Sequence, residues 1–377
     1  MTSKQTIDRQ ATPQRWVIKI GSALLTDNGR GLAQDALDAW VAQIATLRKA
    51  GHEVVLVSSG AVAQGMAVLG WRDRPNSLHA LQAAAAVGQM GLVHAYEKRF
   101  AAYTLKTAQV LLVHADLSSR TRYLNARQTL QALLAYGVIP IVNENDTVAT
   151  EEIRFGDNDS LAGMVANLID ADRLLILTDQ NGVYTADPRS DSAATLIHSC
   201  DAHDPILDRA AAPSTGHLGR GGMISKILAA RLAARSGTST VIANGLCADI
   251  ILQLANGEPQ GTLLTTSRQP ITARKQWLAG SLTVQGRLQL DDGAVSVVKN
   301  EGKSLLPIGV VRVVGDFQRG DLVACMDSHG HEIARGLVNY DAADSRKLAG
   351  CSSQKIADTL GYDGDQELIH RDNLVVL

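Results

Sequence analysis

Between residues 143 and 159 the chain reads NENDTVATEEIRFGDND, directly after the apolar run GVIPIV. Six carboxylates (Glu144, Asp146, Glu151, Glu152, Asp157 and Asp159) share this loop with three asparagines, and Arg154 is its single base. Like charges repel at such density, so the loop meets solvent, holds a metal, moves protons or grips a polar ligand. Two lysines in glycine-rich surroundings lie far from it in sequence: Lys19 in IKIGS and Lys226 after GRGGMIS. Lys19 is the more telling, because an ammonium inside an apolar strand is costly to bury without an anionic partner. Lys226, at the start of KILAARLAARSG, reads first as an ordinary surface lysine near a helix start.

Phosphoryl transfer to a carboxylate would use both lysines and the loop. Such a reaction brings two anions together, the nucleophile and a triphosphate. Two lysines on the transferring group offset their repulsion and stabilise the equatorial oxygens of the transition state. An aspartate between the lysines would hold their geometry, and Asp159 is the candidate. Loop carboxylates could then take the ammonium of a zwitterionic substrate, and asparagine donors its carboxylate. Neither GxxxxGK[ST] nor a GxGxxG after a strand occurs, so a nucleotide would be held by other glycine turns and helix N-termini. The carboxylate spacing fits no EF-hand, and no metal ligand is assigned within the chain.

These groups need a frame, and the chain supplies a repeating one. WVIKIGSALL reads as a strand turning at Gly21, and residues 32–50 as a helix with Leu37, Trp40, Val41, Ile44 and Leu47 on one face. HEVVLVSSGAV is a strand with a small-residue turn, and HALQAAAAVGQMGLVHAYEKRF a helix whose alanine face permits close packing. TAQVLLV, GVIPIV, DRLLILTD and TSTVIAN continue the strands, with a helix starting near Ser118 or Ser119. Strands spaced by helices imply βαβ units, an α/β fold with a mostly parallel sheet between helices. In such sheets ligands bind beyond the carboxyl ends of the strands. SSG, NEND and TDQNG all follow strands at that edge.

The boundaries read as follows: a loose polar N-terminus over 1–14, a kinase-like α/β domain over 15–266, a linker over 267–280 and a small β-rich module over 281–370. In that module SLTV, AVSVV, VVRVVG, DLVACM and EIARGLV read as short β segments. From residue 282 onward it carries ten Lys and Arg against fourteen Asp and Glu. Over the whole chain 36 Lys and Arg face 38 Asp and Glu, so no global field favours nucleic acid or an anionic membrane. The four cysteines form no CxxC pair and read as reduced, mostly buried thiols. The first residues lack an apolar signal region, and no apolar run approaches the roughly 18 residues of a membrane span. A cytoplasmic location is expected.

The motifs VIKIGSALL, VVLVSSGAVAQG, LQAAAAVGQ, LNARQTLQALL, VIPIVNENDTVAT, FGDNDSLA, LLILTDQNGVYTADP, GRGGMISK and SLLPIGV resemble the glutamate 5-kinase family, an amino acid kinase fold followed by a PUA domain. The resemblance runs from about residue 15 to 370. It implies ATP-dependent phosphorylation of the side-chain carboxylate of L-glutamate, the first step toward proline, with Mg²⁺ arriving on ATP and proline inhibiting at an overlapping site. It further implies that Ser59, Asp146 and Asn158 bind glutamate. Lys19, Thr178, Asp179 and the run Arg220, Gly221, Gly222, Met223, Ile224, Ser225 and Lys226 would contact ATP, with Lys19, Asp159 and Lys226 catalytic. A homo-oligomer, dimer or tetramer, is expected.

Two departures stand out. Arg220 replaces the threonine of the usual GTGGM loop, and GSALL stands where GTSVL is common. Glu144, Glu151 and Glu152 have no assigned role and read as solvated loop carboxylates. Other acceptors in the same superfamily are acetylglutamate, aspartate, carbamate and UMP; the SLLPIGV-bearing tail argues against most of these. PUA domains often bind RNA, but phosphate contacts need Lys and Arg, and the acidic tail points the other way. No strong RNA binding is expected.

Overall fold

A computed structural model of the chain describes residues 12–26, 31–114, 116, 120–148, 158–210, 222–266 and 284–376. The expected linker over 267–280, nearly all of the loose N-terminus, most of SLTV and the helix start near Ser118 or Ser119 lie outside the described residues. The chain divides into two compact units, Met1–Ser118 with Ala126–Pro270, and Ser119–Asn125 with Ile271–Leu377.

In the first unit, eight strands form one sheet: β1 (Arg15–Ile20), β2 (Glu53–Ser58), β3 (Thr107–Leu112), β4 (Ile139–Glu144), β5 (Arg173–Thr178), β6 (Ser199–Asp201), β7 (Ser239–Asn244) and β8 (Thr262–Thr265). Their order is β3-β4-β2-β1-β5-β7-β8-β6. β1 pairs in parallel with both β2 and β5, which puts Lys19 beside Val57 and Ile176 in the middle of the sheet. Apolar runs such as VVLV and LLIL form these strands because helices cover both faces, leaving little side chain for water. The expected helical face is buried, with Leu37, Trp40, Val41, Ile44 and Leu47 each at most 2% exposed. Trp40 anchors it further by donating its Nε1–H to the Gly245 carbonyl at 2.9 Å. The sequence reading did not include β6 and β8; β8 runs antiparallel to β7, and β6 follows β8.

Beyond β2 the chain turns at Gly60, whose φ of 98° a side chain would strain. The helix Ala61–Val68 then packs on the long helix Leu78–Ala101. The packing is close enough that a Cβ on Gly65 would strike the Ala84 carbonyl, and one on Gly88 the Ala61 carbonyl. This contact seats the Ser59–Val62 turn against the end of β4.

The second unit holds β9 (Gly286–Leu290), β10 (Val310–Gly315), β11 (Leu322–Met326), β12 (Glu332–Leu337) and β13 (Leu374–Val376), in the order β10-β9-β11-β12-β13. Leu288, Phe317, Val323, Cys325 and Ile333 fill its core. AVSVV is not a strand, contrary to the sequence reading. Asp291 accepts a hydrogen bond from the Ala294 N–H at 2.7 Å and caps the helix Asp292–Ser296, which leads into a π-helical turn over Val297–Glu301. The cap and the flanking DDG outweigh the β-branched preference of the valines. All four cysteines are free, but only Cys325 is buried, its thiol pushed up to about 12 by that burial.

Gly88→Ala is expected to destabilise the first unit by about 3 kcal/mol, since backbone rather than a flexible side chain blocks the new methyl. Its thermal midpoint should fall by roughly 6–12 °C. A midpoint within about 2 °C of the unsubstituted protein would show that the two helices separate without cost.

Candidate active site

Asp159 opens the helix Asp159–Leu168 and is fully buried. Its Oδ1 pairs with Lys19 Nζ, and its Oδ2 lies 2.9 Å from Lys226 Nζ. Both lysines are themselves buried, at 3% and 6% exposure, so Lys226 is not the surface lysine its sequence context suggested. Ser225 Oγ lies 2.8 Å from Asp159 Oδ2 and 2.7 Å from the Gly222 carbonyl. Burial alone would raise the Asp159 carboxyl, but the two ammonium groups overcome it and hold the group down to about 2. Two buried cations on one buried anion leave an excess positive charge, which suits a phosphoryl group in flight.

Of the residues expected to contact ATP, those described are placed as follows. Thr178 ends β5 and is buried, and its Oγ1 donates to Asp179 Oδ1 at 3.1 Å, while Asp179 itself is exposed. Gly21, which follows β1, donates its N–H to the Leu177 carbonyl at 3.3 Å and so brings the ends of β1 and β5 together. Gly222 caps the helix Met223–Ala234, with Ile224 exposed and Met223 and Ser225 half-buried. Arg220 and Gly221 lie outside the described residues.

A small cavity of about 60 Å³ lies at the same sheet edge, lined by Ser22, Ser59, Gly60, Ala61, Val62, Ala63, Arg74, Asn143, Glu144, Asp146 and Asn158. It brings together Ser59, Asp146 and Asn158. Ser59 Oγ is buried with no hydrogen-bond partner among the described residues, which makes it a ready contact for a ligand. Burial raises the Asp146 carboxyl to about 6, against the lowering pull of the Arg74 charge. Glu144 is not the solvated loop carboxylate expected: it ends β4, is only 9% exposed and lines this cavity. Glu151, Glu152 and Asp157 lie outside the described residues.

The asparagines behave differently from the sequence reading. Asn158 donates from Nδ2 to the Ser58 carbonyl at 2.5 Å and to Asn143 Oδ1 at 2.6 Å. Asn143 Oδ1 also accepts the Glu144 N–H at 2.9 Å, and its Nδ2 donates to Gln89 Oε1 at 2.7 Å. Carbonyl and backbone N–H partners orient both amides without ambiguity. Both Asn158 Nδ2 hydrogens and one of Asn143 Nδ2 are therefore bound within the protein. What Asn158 offers the cavity is an acceptor, Oδ1, which suits an ammonium. Sequence reasoning assigned no site role to Asn143, Gln89, Ser22 or Arg74. Asn143 and Gln89 at least sit in quoted motifs; Arg74, in the turn WRDRP, carries no local pattern.

A sequence model of the amino acid kinase family matches residues 14–244, and one of the PUA domain residues 286–360. Glutamate 5-kinase of Saccharophagus degradans is 59% identical over 375 residues, covering 100% of each chain. That of Teredinibacter turnerae is 62% identical over 363 residues, 96% of this chain and 97% of its own. The chain belongs to the glutamate 5-kinase family. The glutamate 5-kinase of Hahella chejuensis is similar again, 58% identical over 377 residues, 100% of this chain and 98% of its own. The two units thus stand in the order of that family, an amino acid kinase fold and then a PUA domain.

Among the described residues no group of three or more His, Cys, Asp or Glu is placed to hold a metal ion, and no helix is long and apolar enough to cross a membrane.

Asp159→Asn should destabilise the protein by about 3–5 kcal/mol at pH 7, because it strands two buried ammonium groups. Adding Lys226→Met in the same chain should recover part of that loss. The depressed carboxyl makes the native contribution present above the ordinary aspartate range and lost as pH falls toward about 2. Chemical denaturation that gave equal stability for Asp159→Asn and the unsubstituted protein would mean that the lysines are hydrated.

Proposed function

We propose that the chain transfers the γ-phosphoryl group of ATP to the side-chain carboxylate of L-glutamate, forming L-glutamyl 5-phosphate and ADP on the way to proline. The observation that carries the reading is the buried Lys19–Asp159–Lys226 cluster lying one residue along the chain from Asn158, which lines the polar cavity with Ser59 and Asp146. A glutamate carboxylate is already ionised at neutral pH, so the attacking oxygen needs no general base. One carboxylate oxygen attacks γ-phosphorus, the bond to the β,γ-bridging oxygen breaks, and ADP leaves with that electron pair.

The chain's contribution is electrostatic and positional. Lys19 and Lys226 approach the equatorial oxygens of the transferring group, and Asp159 keeps their ammonium groups from diverging. Ser59, Asp146 and Asn158 hold the amino acid, with Asp146 and the Asn158 Oδ1 taking its ammonium. Thr178, Asp179 and residues 220–226 hold the nucleotide. Mg²⁺ would arrive with ATP and would offset the negative charge of its phosphates, with no residue of the chain assigned to hold it. Family resemblance supports three further parts of the proposal: proline inhibition at an overlapping site, assembly as a dimer or tetramer, and a cytoplasmic location. The acidic balance of the second unit supports the absence of strong RNA binding.

ADP release from Mg·ATP with L-glutamate, with hydroxylamine present to trap the acyl phosphate, tests the reaction. Glutamate-dependent ADP matched by γ-glutamyl hydroxamate is expected. Turnover only with aspartate, N-acetylglutamate, carbamate or UMP would reassign the cavity's ligand. The raised Asp146 carboxyl gives a second expectation, because kcat/KM follows the free enzyme's ionisations. Protonation at low pH removes the charge that meets the ammonium, so kcat/KM for glutamate should fall as pH drops through about 6. About tenfold should be lost by one unit below that value. The fold of the empty enzyme should respond in the opposite sense, losing stability as pH rises through the same value and the buried group ionises. Asp146→Asn should abolish this inflection; an unchanged profile in that variant would place the titrating group elsewhere.

A further inference from the structure

The glutamate reading leaves one charge of the substrate without a charged receptor. A free amino acid brings an α-ammonium and an α-carboxylate on the same carbon, so their receptors must be near neighbours. Asp146 and Asn158 Oδ1 serve the ammonium. Of the amide donors in the cavity wall, both from Asn158 are directed at the Ser58 carbonyl and Asn143 Oδ1, and one from Asn143 at Gln89 Oε1. Around it, Glu144 and Asp146 would repel a carboxylate.

Among the described residues lining the cavity, Arg74 alone carries positive charge. It lies in the turn between the helices Ala61–Val68 and Leu78–Ala101, a hairpin locked by the Gly65 and Gly88 contacts. We propose that Arg74 is the α-carboxylate receptor of this site and the residue that selects free α-amino acids with an intact carboxyl group. This inference rests on the reading of the cavity as the glutamate site. A planar guanidinium can meet a carboxylate through two parallel N–H donors, a geometry a lysine ammonium cannot reproduce. Its charge also reaches Asp146, where it opposes the effect of burial. Asp146 and Arg74 therefore bring opposite charges to one cavity, the complement of the two charges on one α-carbon. The carboxylate to be phosphorylated is left to project toward Lys19 and Lys226.

Steady-state kinetics on the full-length enzyme test this with Arg74→Gln, Arg74→Lys and Asp146→Asn. Glutarate, which lacks the ammonium, and 4-aminobutyrate, which lacks the α-carboxylate, serve as competing ligands against L-glutamate. Arg74→Gln should raise KM for L-glutamate roughly ten- to hundredfold, the range for losing a hydrogen-bonded charged partner, with kcat and KM for ATP little changed. Arg74→Lys should recover part of the loss. Inhibition by glutarate should weaken in Arg74→Gln, whereas any inhibition by 4-aminobutyrate should be unaltered. A glutamate KM within about twofold of the unsubstituted enzyme would overturn the proposal and give the carboxylate to backbone N–H groups of the Gly60–Val62 turn. So would a rise in KM for both glutamate and ATP, which marks a merely structural effect. Loss of glutamate affinity in Asp146→Asn but not in Arg74→Gln would sink this inference and spare the glutamate site. Indifference of glutamate KM to both substitutions would sink the reading of the site as well.

Discussion

The structure turns on one buried carboxylate that holds two buried lysines. Neither ammonium could sit at 3–6% exposure beside an apolar sheet without a counter-ion, and a single lysine would not need Asp159 to use both oxygens. The three groups come from β1, from the helix after β4 and from the helix before β7. Their meeting fixes the spacing of three chain segments more than 60 residues apart. The three groups by themselves carry one more positive than negative formal charge.

Around that cluster the sheet imposes a division of labour. Parallel strands deliver the ends of β1, β2, β4 and β5 to one edge, so that their following turns face a common space. Asn158 and Asp159 occupy adjacent positions at one helix start yet serve different groups, the first the cavity and the second the lysines. The amide chain from Ser58 through Asn158 and Asn143 to Gln89 ties the cavity wall to the helix hairpin. The same hairpin carries Arg74 in its connecting turn. Packing between Gly65 and Ala84, remote from any chemistry, thereby bears on how well the cavity can discriminate.

Much of this frame was legible in the residues. Apolar strand runs, the 3.6-residue periodicity of residues 32–50 and the polar clusters after strands report local preferences, which survive folding because helices cover both sheet faces. Lys19 was conspicuous because its neighbours are apolar. Where local signals misled, an identifiable interaction won. AVSVV became helical because Asp291 caps it, and β8 and β6 escaped because strands of four and three residues carry little periodic signal. Glu144 looked solvated only because its loop is acidic, whereas its position at the end of a fully buried strand encloses it.

By itself the sequence determined the α/β class, the β-rich second unit, and which residue types were on hand for the chemistry, since these depend on patterning within a few residues of each position. Tertiary structure alone decided that Lys226 is buried, that Asp159 faces both lysines at once and that the Asn158 donors turn inward. It also decided that Arg74 reaches the cavity. Each of those facts is a distance between groups remote along the chain, set by packing and by the competition for hydrogen-bond partners, and local pattern carries no record of either.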